Sequence, residues 1–99
     1  MEEILDCKKP VLLEVRENKS TCSHLIGPVI SRIENEFDNS IKVARIDFET
    51  HKEILNKLNV ESFPTILLLK GGRVIKQIRG TVSRSNLRDL VMELLNNHN

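Results

Sequence analysis

One cysteine lies among polar residues shortly before an amphipathic segment, and it is the chain's clearest candidate for covalent chemistry. Cys22 has Lys19 three residues before it and His24 two residues after it. A thiol at a helix N-terminus beside cations has a lowered pKa, because free backbone N–H groups and positive charge stabilise the thiolate. Such a thiolate can form mixed disulfides with glutathione or with a protein partner. Cys22 is therefore a candidate catalytic residue.

The second cysteine, Cys7, does not complete a redox pair with Cys22. A predicted strand over 11–15 separates them, and five extended residues rise roughly 16 Å. Bridged cysteines need Cα atoms within about 7 Å of each other. We expect Cys7 to be a structural or incidental thiol. Two cysteines that form no disulfide framework favour a cytoplasmic location.

Composition and spacing exclude several other functions. The 15 Lys and Arg against 14 Asp and Glu leave a net charge of +1, too weak a field for binding nucleic acid. The longest apolar run, 66–69, is too short to cross a bilayer, so we expect no membrane association. Cys22 and His24 do not share a helix face, and no further ligand is near in sequence. We expect no metal and no cofactor.

Apolar periodicity predicts the elements that must position these residues. Alternating or buried apolar runs predict strands, and steps of three and four predict helices. A Thr50-to-Glu53 capping box and a Ser83 cap mark two helix starts, and Gly71-Gly72 marks a tight turn. The strands are predicted over 11–15, 41–48, 66–69 and 73–79, with helices over 25–37, 51–58 and 84–95.

The predicted order is β-α-β-α-β-β-α in an α/β domain. Alternating strands and helices favour parallel pairing with helices on both faces, and the last hairpin adds an antiparallel edge. The cations Arg73, Lys76 and Arg79 on the last strand are expected to block edge-to-edge pairing. No linker or repeat divides the sequence, so we expect one domain over residues 1–99.

Several motifs in this order resemble the thioredoxin family. The segment 60–65, Val-Glu-Ser-Phe-Pro-Thr, is similar to the family's cis-proline signature before its third strand. The turn 69–72 and Gly80 resemble the hairpin and the glycine that follow it. Pro28 matches the proline that kinks the family's long helix. The resemblance runs without a gap over 11–95.

This resemblance implies the thioredoxin fold, a central mixed four-stranded sheet flanked by helices. Only residues 1–10 precede the first strand, so the N-terminal strand of full-length thioredoxins is expected to be missing.

The family's Trp-Cys-Gly-Pro-Cys motif aligns with a segment that lacks both of its cysteines. Ser20 takes the position of the nucleophilic cysteine and Ser23 that of the resolving one. Lys19 replaces the tryptophan, Thr21 the glycine and Cys22 the proline. A serine hydroxyl forms no disulfide, so the resemblance implies a degenerate site without disulfide reductase activity. Paired Cys-to-Ser changes are also a common laboratory device, so a deliberate double replacement stays open beside a natural loss.

A buried acid belongs to the same resemblance. Glu14 stands where thioredoxins bury an aspartate beneath the active site, and Arg45 stands near the position of a lysine. The two residues lie on adjacent predicted strands, so we expect a partly buried ion pair. Without a dithiol above it, the pair is expected to be structural, and removing one partner would leave an unpaired charge.

Three interpretations of Cys22 stay open. It is an isolated thiol without a task, a monothiol that forms mixed disulfides, or the first residue of a shifted tetrad over 22–25. The last shortens the spacing to Pro28 from eight residues to six, which the gapless remainder argues against.

The resemblance also implies a client-binding groove along the loop before the third strand. Phe63, Pro64 and Thr65 would border it and hold an extended protein segment or a thiol-containing client by β-type hydrogen bonds. Our hypothesis is a thioredoxin-like protein of redox homeostasis that has lost dithiol exchange. The alternative is a monothiol oxidoreductase acting through Cys22, with glutathione as a candidate partner.

Overall fold

The computed structural model describes residues 7–17, 23–61 and 63–96, and at 23–25 it describes the backbone alone. Within these residues the chain forms four strands and three α-helices in the predicted order. They are β1 (Val11–Arg16), α1 (Ser23–Phe37), β2 (Lys42–Asp47), α2 (Lys52–Lys57), β3 (Thr65–Lys70), β4 (Arg73–Arg79) and α3 (Arg84–Asn96). The expected α/β architecture with a central mixed sheet is confirmed.

The sheet has the strand order β2-β1-β3-β4. β1 pairs parallel with β2, because α1 carries the chain back across the sheet between them. β1 and β4 both pair antiparallel with β3, so antiparallel pairing extends beyond the predicted last hairpin. The ends of β1 and β2 and the start of β3 therefore meet at one edge of the sheet.

Alternation along the strands divides the core between the two faces of the sheet. Even-numbered β1 and β3 residues face α1 and α3, and odd-numbered ones face α2, because side chains of a strand alternate. The α1/α3 face buries Leu12, Ile26, Ile30, Ile33, Phe37, Ile41, Ile66, Leu68, Leu87, Val91 and Leu94. The α2 face buries Val11, Leu13, Val15, Leu55, Val60, Leu67 and Leu69, with Cys7 packed partly buried against them.

The hairpin between β3 and β4 turns where the two glycines predict it. Gly71 and Gly72 have φ angles of +60° and +77°, the left-handed pair that a tight hairpin turn requires. β4 is an edge strand, and its pairing with β3 shifts between Leu68 and Leu69. The shift leaves Ile75 as an extra residue that is 49% exposed. Such a bulge interrupts the regular edge of a sheet.

Of the two predicted helix caps, the one at Ser83 is correct and the one at Thr50 is wrong. Ser83 Oγ accepts a hydrogen bond from the Asn86 N–H at 3.1 Å, as expected for the cap of α3. The predicted Thr50 cap is wrong, because α2 begins after His51 and not after Thr50. The Thr50 hydroxyl donates to the Asp47 carbonyl at 2.9 Å. Thr50 lies in a 3₁₀ turn, and His51 occupies the N-cap of α2 without a side-chain cap bond.

Among the helices described above, none is long and apolar enough to span a membrane.

Candidate functional site

Of the predicted site residues, the described ones lie toward the edge of the sheet where β1 ends, namely Glu14, Arg45, Phe63, Pro64 and Thr65. In the antiparallel register, Val15 lies opposite Thr65, so the Pro64 loop adjoins the end of β1. α1 starts at Ser23 and returns the chain toward the beginning of β2. Segment 18–22 joins β1 to this helix.

Several predicted residues lie outside the described part of the chain. Ser20, Thr21 and Cys22 belong to this group, as do the side chains of Ser23 and His24. Their proposed places in the site therefore stay predictions.

Glu14 lies beneath this edge as a buried carboxylate among the apolar residues of β1, which ends at the exposed Arg16. Its side chain is 1% exposed, and it projects from β1 toward α1. The parallel register sets it opposite Arg45, whose Nε lies 3.2 Å from Glu14 Oε1. The structure thus brings the predicted pair together. The contact is an ion pair, and no described residue donates a hydrogen bond to Glu14 Oε1.

Burial and charge act in opposite directions on this carboxylate. Desolvation raises the pKa of Glu14 above the ordinary value of 4.5, and the positive charges of Arg45 and Arg16 only partly offset it. Burial is the larger effect because water cannot solvate the ionised form at this depth. Glu14 can consequently hold a proton at a higher pH than an exposed glutamate.

Arg45 connects the buried acid to the long helix. Its guanidinium contacts Ser31 Oγ at 3.4 Å and lies 3.9 Å from Glu34 Oε1, both on α1. The side chain is 30% exposed, whereas its partner Glu14 is almost fully buried. Without Glu14, the Arg45 guanidinium would still be solvated by water and would still contact α1. Without Arg45, the buried Glu14 carboxylate would lose its ion-pair partner.

A second ion pair, which the sequence analysis did not identify, lies at the very end of the same two strands. Arg16 Nε is 3.5 Å from Asp47 Oδ1, and the two residues are direct register partners. Asp47 Oδ1 is buried and accepts no hydrogen bond from a described residue. The sequence offered a signal in position: Arg16 directly follows the predicted strand 11–15, and Asp47 lies near the end of the predicted strand 41–48. Ligands gather at the ends of neighbouring parallel strands.

The Pro64 loop is bound to the end of β4. The Phe63–Pro64 peptide bond is cis, and Pro64 and Thr65 are buried. The Pro64 carbonyl accepts a 2.8 Å hydrogen bond from the Gly80 N–H. Gly80 has a φ angle of +80°, a conformation that favours glycine.

The aromatic ring next to this proline is also fixed. Phe63 packs edge-to-face on Phe48, with ring centroids 5.1 Å apart.

The described residues contain no group of three or more potential ligand side chains that could hold a metal ion.

Comparisons with known proteins agree with the fold of this chain. The thioredoxin family model matches residues 1–93. The chain is 33% identical over 89 residues to a bifunctional thioredoxin reductase/thioredoxin of Mycobacterium leprae, covering 89% of this chain but only 19% of that protein. It is 26% identical over 91 residues to a thioredoxin of Chlorobaculum thiosulfatiphilum, covering 84% of that protein. It is also 28% identical over 85 residues to thioredoxin C-2 of Corynebacterium nephridii, covering 79% of it. The chain belongs to the thioredoxin family.

Proposed function

We propose that this thioredoxin-family redox protein works without a dithiol–disulfide cycle and binds extended protein segments beside Pro64. The observation that carries the binding proposal is the backbone at the Phe63–Pro64 bond. The Pro64 carbonyl is engaged by Gly80, whereas no described residue forms a backbone hydrogen bond with Phe63. An extended segment could supply partners to these main-chain groups, as in strand addition.

The absence of a dithiol cycle follows from the cysteine positions. The chain has cysteines only at 7 and 22, so it contains no Cys-x-x-Cys motif. Cys7 is partly buried against the α2 face of the sheet, on the far side of β1 from Glu14. A resolving thiol is required to close the intramolecular cycle, and the serine at position 23 cannot provide one.

Insulin disulfide reduction with dithiothreitol as electron donor tests the loss of dithiol activity. We expect the protein to give no acceleration over dithiothreitol alone. The double variant Ser20→Cys/Ser23→Cys restores both thiols and should reduce insulin, while Ser20→Cys alone is the matched control. Turnover by the unaltered protein at a rate typical of thioredoxins would overturn this part of the proposal.

Amide chemical shifts test the groove directly. An extended peptide added to the ¹⁵N-labelled protein should shift the Phe63 and Gly80 amides. The Gly71 and Gly72 amides are the internal control, because the β3–β4 turn lies at the opposite end of β3. Shifts confined to that turn, or none at Phe63 at saturating peptide, would contradict the groove.

A monothiol function is the second candidate, and the start of α1 favours it. Cys22 directly precedes α1, whose first turn carries no acidic residue that would oppose a thiolate. The Cys22 thiolate would attack the glutathione sulfur of a glutathionylated client, releasing the client thiolate. A second glutathione thiolate would then attack that sulfur, forming glutathione disulfide and regenerating the Cys22 thiolate.

Single cysteine variants decide between the two candidates. Cys22→Ser should abolish deglutathionylation and leave peptide-induced shifts at Phe63 unchanged, and Cys7→Ser is the matched control. If Cys22→Ser and the unaltered protein release client thiol equally fast, the monothiol candidate fails.

A further inference from the structure

We propose that a cluster of three arginines between α1 and α3 binds the phosphate group of a phosphorylated protein segment. This arginine cluster consists of Arg32 on α1 and Arg84 and Arg88 on α3, gathered around Glu36. No residue of the groove beside Pro64 lines it, so the inference goes beyond the function proposed above.

Glu36 brings two of these arginines together. Its carboxylate meets Arg84 Nη2 at 3.3 Å through Oε1 and Arg88 Nε through Oε2. Two guanidinium groups offer more N–H donors than one carboxylate can accept. The side chains of Arg84 and Arg88 are 52% and 46% exposed, so their remaining donors face solvent and are available to a ligand.

Arg32 adds a third positive charge to the same surface. It lies one helical turn before Glu36 on α1, and both residues line one open surface depression together with Asn35 and Arg84. Arg32 is exposed, and no carboxylate of the described residues forms an ion pair with it. Ion pairs that only join α1 to α3 account for Arg84 and Arg88, but they do not account for Arg32.

Neighbouring acids leave most of this charge unopposed. They line other surfaces, namely the groove between α3 and β4 (Asp89, Glu93) and a depression beside β2 (Glu34, Asp38). The segment 80–83 and the first turn of α3 contain no acidic residue. Among the described residues, Glu36 is therefore the one acid that contacts the arginine cluster.

The charge of the cluster fits a phosphate group better than a carboxylate. Three arginines and one glutamate leave two net positive charges. A phosphorylated side chain carries about −1.5 to −2 charges at pH 7 and three acceptor oxygens, whereas a carboxylate would offset only one of the two charges. The planar fork of arginine also matches phosphate oxygens, and clustered arginines are a recurring way of recognising phosphorylated segments.

The shape of the depression favours a protein segment over a free small molecule. Its lining consists of polar and charged side chains, and it is open to solvent. Sites for small molecules are concave and mostly apolar, because burial supplies much of their affinity. A phosphate carried by a protein segment gains further contacts along the exposed surfaces of α1 and α3, which a free phosphate ion does not.

Fluorescence anisotropy with three nine-residue peptides tests the site. The peptides differ only at the central residue, which is phosphoserine, glutamate or serine. We expect the phosphoserine peptide to bind tightest and the serine peptide weakest, with a difference that high salt reduces. Its binding should shift the amide resonances of Asn35 and Arg84 in the ¹⁵N-labelled protein, and inorganic phosphate should compete only weakly.

Arg32→Gln is the sharpest variant, because Arg32 has no ion pair with a described residue that the change would break. Arg32→Gln and Arg84→Gln should each weaken binding of the phosphoserine peptide about two- to five-fold, the range for exposed charge pairs. Arg73→Gln is the matched control. It removes an exposed cation at the start of β4 and should leave the affinity unchanged.

Three outcomes would contradict the proposal. The site is refuted if the phosphoserine peptide binds no more tightly than the serine peptide, or if Arg32→Gln weakens it no more than Arg73→Gln does. Inorganic phosphate that binds as tightly as the phosphoserine peptide would overturn the assignment to a protein segment. Tighter binding of a single-stranded oligothymidine would overturn that assignment as well.

Discussion

At the scale of single residues, the ion pair between Glu14 and Arg45 is unequal. Glu14 is buried and its pKa is raised, whereas Arg45 reaches solvent and two residues of α1. Removing Arg45 should therefore lower the free energy of unfolding by a different amount than removing Glu14. An unpaired buried group costs about 1–3 kcal/mol and more when it is charged, whereas an exposed guanidinium is solvated by water.

This asymmetry predicts opposite pH trends for two variants. Because the native pKa of Glu14 lies above 4.5, the native state binds more protons than the unfolded state over the interval between the two pKa values. The stability contributed by Glu14 is thus greatest below 4.5 and falls as the pH rises through the native pKa. As the pH rises through that interval, the free energy of unfolding of Glu14→Gln should increase relative to that of the unaltered protein. The free energy of unfolding of Arg45→Met should decrease relative to it.

Urea unfolding from pH 4 to pH 8 measures both trends. At pH 7 we expect Arg45→Met to lose about 1–3 kcal/mol and Glu14→Gln to change by less than about 1 kcal/mol. Arg73→Met, at an exposed site, is the control for loss of a cation. A Glu14→Gln stability difference that declines with rising pH would refute a raised pKa.

Cys22 carries a second prediction at this scale. If it works as a monothiol, its alkylation by iodoacetamide in the Cys7→Ser background should have a midpoint well below the free-thiol value of about 8.5. The start of α1 and nearby cations provide the physical reason. Cys22→Ser in the same background measures unspecific labelling. A midpoint at or above about 8.5, or no labelling of the folded protein, would leave only the binding function.

At the scale of elements, local chemistry fixes where α3 begins. The Ser83 hydroxyl satisfies the Asn86 N–H, one of the four donors that a helix start leaves without an intrahelical partner. Ser83→Ala should therefore cost about 1 kcal/mol in the free energy of unfolding, and Ser83→Asp much less.

Chemical denaturation of these variants checks that cost. Ser85→Ala, two residues further along and exposed, should be nearly neutral. If Ser85→Ala cost as much as Ser83→Ala, the capping interpretation would fail.

Elements with strong local signals could be predicted from the sequence, whereas most contacts between them could not. The bounds of β4 followed from the Gly71-Gly72 turn and the residues after it. Thr50 misled because it belongs to a 3₁₀ turn in which its hydroxyl donates to the Asp47 carbonyl, so the helix starts one residue later, which a capping pattern does not reveal.

The same difference holds within the site. Glu14 and Arg45 could be paired in advance because the resemblance to thioredoxins implied the pair and the two predicted strands are adjacent. The contact of Arg16 with Asp47 and that of Gly80 with Pro64 depend on register at the strand ends, which a single strand's pattern leaves undetermined.

At the scale of the whole molecule, one sheet holds two apolar layers together. Leu67 faces α2 and Leu68 faces α1 and α3, and each is at most 1% exposed. Because both layers share the strands, we expect them to unfold in one cooperative transition. Replacing either leucine by alanine should lower the free energy of unfolding by about 2–5 kcal/mol.

Methyl resonances on each face follow that transition during urea unfolding. In Leu67→Ala, the signals of Leu55 on the α2 face and Ile33 on the opposite face should disappear at the same urea concentration. Separate midpoints for the two faces would show that the layers unfold independently.

The bulge at Ile75 bears on how the protein behaves at high concentration. With a net charge of +1 and an isoelectric point near 7.8, the chains repel one another little at neutral pH. Colloidal stability must then come from the shape of the surface. A distorted β4 edge lined with Arg73, Lys76 and Arg79 offers a poor template for another strand. We therefore expect the bulge to oppose fibrillar growth where electrostatic repulsion is weakest.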